Sequence, residues 1–204
     1  MIAIIDYGVG NLFSLKSSFG FIGADAVVTS DKKLINEADR LVLPGVGAFA
    51  DAAAKLKNAG LDRIVCDNAH SGKPLLGICL GMQLLFDKSF EYGEHAGLGL
   101  IKGAVKPISP VIPAGYKVPH IGWNALHFRG KEKNTLFRYI NEGEYVYFVH
   151  SYYAAECDES VTSTAEYGAE LTASVADGNI YGVQFHPEKS GETGLNILKA
   201  FCEI

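Results

Sequence analysis

The sequence predicts an α/β fold: a mostly parallel central sheet flanked by helices, with additional antiparallel strands in the C-terminal half. Three observations carry this. In the first half, short apolar runs alternate with helical stretches, the pattern of parallel strands joined by helical crossovers. After Gly97, apolar and aromatic runs follow one another across turn signals such as Glu142-Gly143 and Asp177-Gly178-Asn179, as antiparallel strands do. Hydrophobic residues make up 48% of the 204 and charged residues 20%, with no linker-like or repetitive stretch, so residues 1–204 are expected to form a single domain around one substantial core.

The run 2–6, Ile-Ala-Ile-Ile-Asp, opens the sheet. No basic segment precedes it and Asp6 ends it far short of a signal or membrane segment, so it reads as the first core strand of a cytoplasmic protein. A helix over 12–22 follows, then strands at 26–28 and 41–43. An alanine-rich helix covers 49–58, and 61–69 continues with Leu61, Ile64 and Val65 on one helical face. A buried strand at 74–78 leads into a helix over 82–86, made mostly of good helix formers. Strands are expected at 101–108, 121–128, 145–153, 161–167, 171–175 and 180–185. The chain closes with a helix over 194–201 that gathers Leu195, Leu198 and Phe201 on one face.

Several function classes fall away on composition. The formal net charge of −5 offers no basic surface for nucleic acid. Cys66, Cys79, Cys157 and Cys202 are scattered without a CxxC pair, so neither a zinc site nor a disulfide framework is signalled, and no metal or cofactor is expected. Asp6-Tyr7-Gly8-Val9-Gly10-Asn11 imitates a dinucleotide-binding loop, but the third small position falls on Phe13 and breaks the fingerprint.

The chemistry concentrates at Gly77-Ile78-Cys79-Leu80-Gly81-Met82-Gln83, where a cysteine sits between two glycines at a strand-to-helix turn. So sharp a turn strains the backbone at the cysteine and needs small residues beside it, here Gly77 and Gly81. Amides at the start of the following helix favour thiolate over thiol. The same geometry aims the Leu80 N–H at the space where an oxyanion would form. The alternative is a buried structural thiol.

A thiolate nucleophile needs a base, and the six histidines are unequal candidates. His186 ends the strand Tyr181-Gly182-Val183-Gln184-Phe185 and is followed by Pro187 and Glu188. Proline holds the preceding residue extended, so Glu188 can take one imidazole nitrogen while the other faces the thiol. In isolation the same tripeptide is a strand-end histidine near an unrelated carboxylate. His150 lies in an aromatic strand with no carboxylate close behind it, so it is expected to line a substrate site or to be a packed core ring. His70, His95 and His127 have no motif context. Leu43-Pro44-Gly45-Val46-Gly47 ends another parallel strand and offers a second oxyanion donor, or is an ordinary strand-to-helix turn.

Three separated segments now coincide: Pro-Gly-Val-Gly-Ala-Phe at 44–49, Gly-Ile-Cys-Leu-Gly-Met-Gln at 77–83 and His-Pro-Glu at 186–188. Together they resemble the class I, triad-type glutamine amidotransferases nearly end to end. Within that family, Asp-Tyr-Gly-Val-Gly-Asn-Leu at 6–12, the Pro-Gly-Val-Gly form of the second segment, Pro-His-Ile-Gly-Trp-Asn at 119–124 and Phe-Val-His-Ser-Tyr-Tyr at 148–153 are similar to the glutaminase subunits of imidazole glycerol phosphate synthases.

The resemblance implies that Cys79 attacks the side-chain amide of glutamine, that His186 moves the protons and that Glu188 orients His186. It implies backbone oxyanion donors at Val46 or Gly47 and at Leu80. Glutamine would be gripped by Gln83 and by the backbone near Gly47, Ser151 and Tyr152, with Glu91 as the carboxylate for its ammonium group. Once the glutaminase elements are assigned, nothing is left to bind an ammonia acceptor, and ammonia released into neutral water is mostly protonated. Delivery inside a complex is therefore expected. The implied partner is a cyclase subunit, in a heterodimer, that forms imidazole glycerol phosphate and an aminoimidazole carboxamide ribotide in histidine biosynthesis. Asn11, Trp123, Asn124 and Lys189 are the implied interface residues; for Trp123 the alternative is a core position. Competing readings are a glutaminase serving another synthase, such as that for pyridoxal phosphate, a non-catalytic module of the same fold, and a cysteine peptidase or redox sensor.

Overall fold

A computed structural model of the chain describes residues 1–130 and 132–204. In chain order the elements are β1 (Ile2–Ile5), α1 (Leu12–Phe21), β2 (Ala26–Thr29), α2 (Lys32–Glu37), β3 (Arg40–Leu43), α3 (Phe49–Asn58), α4 (Leu61–His70), β4 (Leu75–Ile78), α5 (Leu80–Leu84), β5 (Phe86–Ser89), β6 (His95–Ala96), β7 (Ile101–Pro107), β8 (His120–Ala125), β9 (His127–Phe128), β10 (Tyr145–His150), β11 (Tyr152–Ala155), β12 (Val161–Glu166), β13 (Glu170–Asp177), β14 (Ile180–Val183) and α6 (Gly191–Cys202).

The central sheet runs β2-β1-β3-β4-β14-β13-β12-β9. From β2 to β14 the pairing is parallel, and from β14 to β9 antiparallel, which is the division expected between the two halves. The strands of β1, β4 and β14 are buried at every position, as befits a sheet covered on both faces. The strand period of two sorts β1 between two cores: Ile2 and Ile4 pack with Leu15 and Phe19 of α1 and Ile197, Leu198 and Phe201 of α6, while Ala3 and Ile5 pack with Phe49, Leu56 and Val65 of α3 and α4. Each fully buried side chain of this size contributes roughly 1.5–3 kcal/mol. Two smaller sheets, β10-β8 and β11-β7-β5-β6, extend the C-terminal half.

The structure revises four expectations. The stretch 145–153 is not one strand: Tyr145–His150 pairs with β8, while Tyr152–Ala155 pairs with β7 in a different sheet. Ser151 is the switch, and a continuous aromatic run conceals a change of sheet because both halves are rich in strand-forming aromatic residues. The stretch 121–128 likewise breaks at Leu126, whose N–H bonds Glu144 O outside either ladder. The helix expected over 82–86 begins earlier and ends earlier, at Leu80–Leu84, because Phe86 is drawn into parallel pairing with Ile101. Helix α2 escaped a reading based on apolar runs, although Asp31, whose side chain accepts from the N–H groups of Lys33 and Leu34, was a legible N-cap.

Neighbourhood in the sheet is what assembles a site. Strand β4 lies between β3 and β14, so the loops leaving their C-terminal ends, 44–48, 79 and 184–190, stand side by side at one edge. Among the described residues, no helix is long and apolar enough to cross a membrane, and no cluster of metal-ligating side chains occurs.

Candidate active site

Cys79 follows β4 with φ 54° and ψ −114°, a left-handed φ rare for a side-chain-bearing residue. Two backbone bonds impose it: Cys79 N–H donates to Val183 O at 2.7 Å, and Gln83 N–H donates to Cys79 O at 3.1 Å. The flanking glycines are demanded by packing. A Cβ on Gly81 would sit 1.8 Å from Leu43 O, and one on Gly77 would sit 2.7 Å from Met82 Cα. The loop 44–48 is pressed onto this elbow, since a Cβ on Gly45 would lie 2.8 Å from Gly81 N. Helix α5 is five residues long, as long as the expected one, so the helix dipole at the sulfur is a weak one.

His186 stands extended before Pro187 (φ −102°, ψ 99°), as expected. Its Nδ1 meets Glu188 Oε1 at 2.9 Å, and both side chains are almost fully buried. The carboxylate can only accept, so Nδ1 carries the proton and Nε2 is the atom left for the thiol. Nε2 is buried and makes no aligned hydrogen bond in this resting arrangement. Burial opposes a charge on the ring, but the Cys79 sulfur and the Glu188 carboxylate together outweigh it and push His186 up to about 9.

A cavity of about 400 Å³ opens in front of the sulfur. Its wall includes Val46, Gly47 and Leu80 beside Cys79 and His186, together with Gln83, Glu91, His150, Ser151 and Tyr152. Every residue that the sequence nominated as catalytic, oxyanion-forming or substrate-binding therefore lines it, except Glu188, which lies behind the ring beside Asn11. Lys189, nominated for an interface, also reaches the cavity, as do Pro119 and Val149, which had no assigned role. Glu91 Oε2 accepts from Phe49 N at 2.5 Å, tying the cavity wall to the start of α3.

Gln83 is turned differently from the sequence expectation. Its amide nitrogen is occupied by Tyr152 O at 3.2 Å and by Gln184 Oε1 at 2.9 Å. His150 bonds the same Tyr152 carbonyl through Nδ1 at 2.8 Å. That carbonyl fixes the tautomers: His150 Nδ1 donates, so Nε2 accepts from His120 Nδ1 at 3.0 Å, and His120 Nε2 accepts from Asn124 Nδ2 at 3.4 Å. Burial pushes His120 and His150 down to about 4, which keeps both rings neutral as this wiring requires. Asn124 is therefore turned inward, its other N–H on Glu166 O at 2.7 Å, whereas Trp123 is 53% exposed on the outer face. The core alternative for Trp123 is excluded.

Sequence reading missed three neighbours of the site. Tyr7, just beyond β1, donates to Pro44 O at 2.6 Å and so pins the loop 44–48. Burial and then the nearby Cys79 sulfur push this phenol above its ordinary value, so it remains a donor. His120 carried the only other signal, its place in the 119–124 segment. Gln184 is fully buried, and its Nε2 stands 3.6 Å from the Cys79 sulfur. Its position two residues before His186 on an extended chain was the available clue.

A mostly parallel α/β sheet that carries a strained cysteine elbow, a buried histidine–carboxylate pair and a glycine-rich loop beside the sulfur is the framework of a triad-type thiol enzyme of acyl transfer. The chain belongs to the class-I glutamine amidotransferase family, whose model matches residues 3–204. It is 47% identical over 206 residues to the imidazole glycerol phosphate synthase subunit HisH of Wolinella succinogenes, with all of both chains covered. It is 52% identical over 204 residues to the subunit of the same name from Methanothermobacter thermautotrophicus, covering all of this chain and 98% of the relative. Among solved structures, a glutamine amidotransferase crystal structure superposes with a TM-score of 0.76 at 18% identity, covering 100% and 98% of the two chains. A Thermotoga maritima PurLQS structure superposes with a TM-score of 0.72 at 21% identity, covering 99% and 97%. These two likenesses concern the fold.

Proposed function

We propose that the chain is the glutaminase subunit of an imidazole glycerol phosphate synthase, hydrolysing glutamine to glutamate and ammonia and passing the ammonia to a cyclase partner in histidine biosynthesis. The observation that carries this reading is that Cys79 and His186, the latter paired with Glu188 behind it, meet on one cavity, in a chain whose full-length relatives are such subunits.

In this reading the Cys79 thiolate attacks the side-chain amide carbon of glutamine and the carbonyl oxygen becomes an oxyanion. Backbone N–H groups at Leu80 and at Val46 or Gly47 hold it. The imidazolium of His186 gives its proton to nitrogen, the C–N bond breaks, and ammonia leaves behind a thioester. Water then attacks the thioester as His186 takes its proton, the C–S bond breaks, and glutamate departs from a restored thiolate. Glu188 keeps the ring oriented and stabilises its charge throughout. Glu91 and the backbone at Gly47, Ser151 and Tyr152 hold the amino-acid end of glutamine.

The partner docks, in the same reading, on the β8-β10 ribbon. Its outward side chains include Ile121, Trp123 and Tyr145, which are 59%, 53% and 58% exposed, an aromatic and aliphatic face of the kind that anchors interfaces. Pro119, Val149 and Lys189 join that face to the cavity mouth, which suits delivery of ammonia without release to solvent.

The test is Cys79→Ala in the complex with the co-purified partner. Glutamine-dependent synthesis should vanish, while partner binding and ammonia-dependent synthesis persist. Loss of both activities, or retained use of glutamine, contradicts the assignment.

A further inference from the structure

The short helix α5 leaves open what, besides the His186 imidazolium, holds the sulfur ionised before attack and again when the thioester is cleaved. Val183 O is occupied by the Cys79 N–H, and Glu188 faces the far side of the imidazole. Among the described residues, the side chain bonded to the sulfur is Gln184, fully buried, with Nε2 at 3.6 Å. An amide has an oxygen end and a nitrogen end, and only the nitrogen end is useful to an anion.

Which end faces the sulfur is settled two links away. The Tyr152 carbonyl can only accept, so the group of Gln83 that meets it is the NH₂. The second N–H of that NH₂ meets the Gln184 side chain, which must answer with its oxygen. The nitrogen of Gln184 is then left for Cys79. Reversing Gln184 would set its oxygen against the thiolate and its NH₂ against that of Gln83, two repulsive contacts in a buried site. The Tyr152 carbonyl is itself held by His150 Nδ1, so the first link is fixed as well.

We propose that Gln184 is a catalytic residue for the glutaminase reaction, its side-chain N–H donating to the Cys79 thiolate in an orientation that Tyr152 O dictates through Gln83. The arrangement suits a sulfur that must be an anion before attack and a leaving anion again when the thioester is cleaved. A neutral amide neither takes a proton from the thiol nor competes with His186 for one, yet it presents a permanent dipole that needs no reorganisation as charge shifts between sulfur and oxyanion. Gln83 is a positioning residue in this scheme rather than a direct grip on substrate. The proposal rests on Cys79 being the nucleophile of a glutaminase.

The experiment uses the intact complex and follows alkylation of Cys79 by iodoacetamide against pH, with the modified peptide identified by mass spectrometry. Gln184→Met keeps the volume and removes the donor. The midpoint of the alkylation profile should rise by about one unit, a tenfold shift in the thiol–thiolate equilibrium. In steady state kcat should fall by about tenfold or more with KM for glutamine within about threefold, because the interaction is with the reacting atom. Gln83→Met, which unlocks the amide without touching the sulfur, should move the profile the same way by less, and it serves as the test if Gln184→Met does not fold. A purely structural role would lower thermal stability and leave the profile in place; an unshifted profile in either folded variant overturns the proposal. Failure of the glutaminase reading would appear separately, as a wild-type complex that does not turn over glutamine.

Discussion

At the scale of single residues, the proposed mechanism turns on the histidine–carboxylate pair. Glu188 is nearly inaccessible and bonded to His186 at 2.9 Å, so its charge has no solvent to screen it. Glu188→Gln keeps the shape and removes the charge. His186 should fall from about 9 toward or below its ordinary value, and glutamine turnover should drop by about 10²–10⁴-fold, measured as the pH–rate profile of the complex. The linkage has a definite sign. A ring whose folded pKa lies above its unfolded one stabilises the fold below pH 6.5 and loses that contribution as pH rises through about 9. The glutamine variant should abolish this alkaline sag. A variant with wild-type turnover and an unchanged profile would show that Glu188 is a bystander.

At the scale of elements, the site depends on how closely its loops are stacked. Gly194 in α6 presses on the turn that carries the pair: a Cβ there would lie 2.0 Å from Pro187 O. Ser190 reinforces the turn, its hydroxyl donating to His186 O at 2.6 Å and accepting from Tyr147 N–H at 3.0 Å. Gly194→Ala should therefore cost about 1–3 kcal/mol in urea denaturation and depress kcat more than KM, although it lies on a helix remote from substrate. A neutral result in both would mean that α6 can slide to accommodate the methyl group. This closeness is also where sequence reading reached its limit. Cys79, His186 and Glu188 were legible because their chemistry is written in short contiguous spans. The bonds from Tyr7 to Pro44 and from Gln184 to Cys79 join residues far apart in the chain, and they follow only from the order of strands in the sheet. The parallel half of that sheet was legible from fully apolar runs. The switch at Ser151 was not, because nothing in an aromatic alternation marks the residue where it changes partners.

At the scale of the whole molecule, two neutral imidazoles sit where the β8-β10 ribbon meets the main body. His120 is stacked between Tyr167 and Phe148, with centroids 4.0 and 5.1 Å away, and His150 lies beneath it. Unfolded, each ring takes a proton near pH 6.5; folded, each resists until about pH 4. The unfolded chain therefore binds more protons between these values. The stability that the neutral pair supplies is fully present above pH 6.5 and is lost as pH falls toward 4. In an NMR titration of ring C2 protons, His120 and His150 should stay neutral down to about pH 5 while His186 titrates near 9. Ordinary midpoints for the two buried rings would contradict the hydrogen-bond chain drawn from Asn124 to Tyr152.

The crowding around the elbow has a bearing on descent. Gly77, Gly81 and Gly45 are required by backbone atoms only 1.8–2.8 Å from where their side chains would begin, and that requirement holds whether or not any chemistry takes place. A lineage that ceased to need glutamine could discard its thiol by a single change and still be compelled to keep all three glycines. The glycines therefore certify ancestry, and a copy of this gene is to be judged living or fossil by what stands at 79.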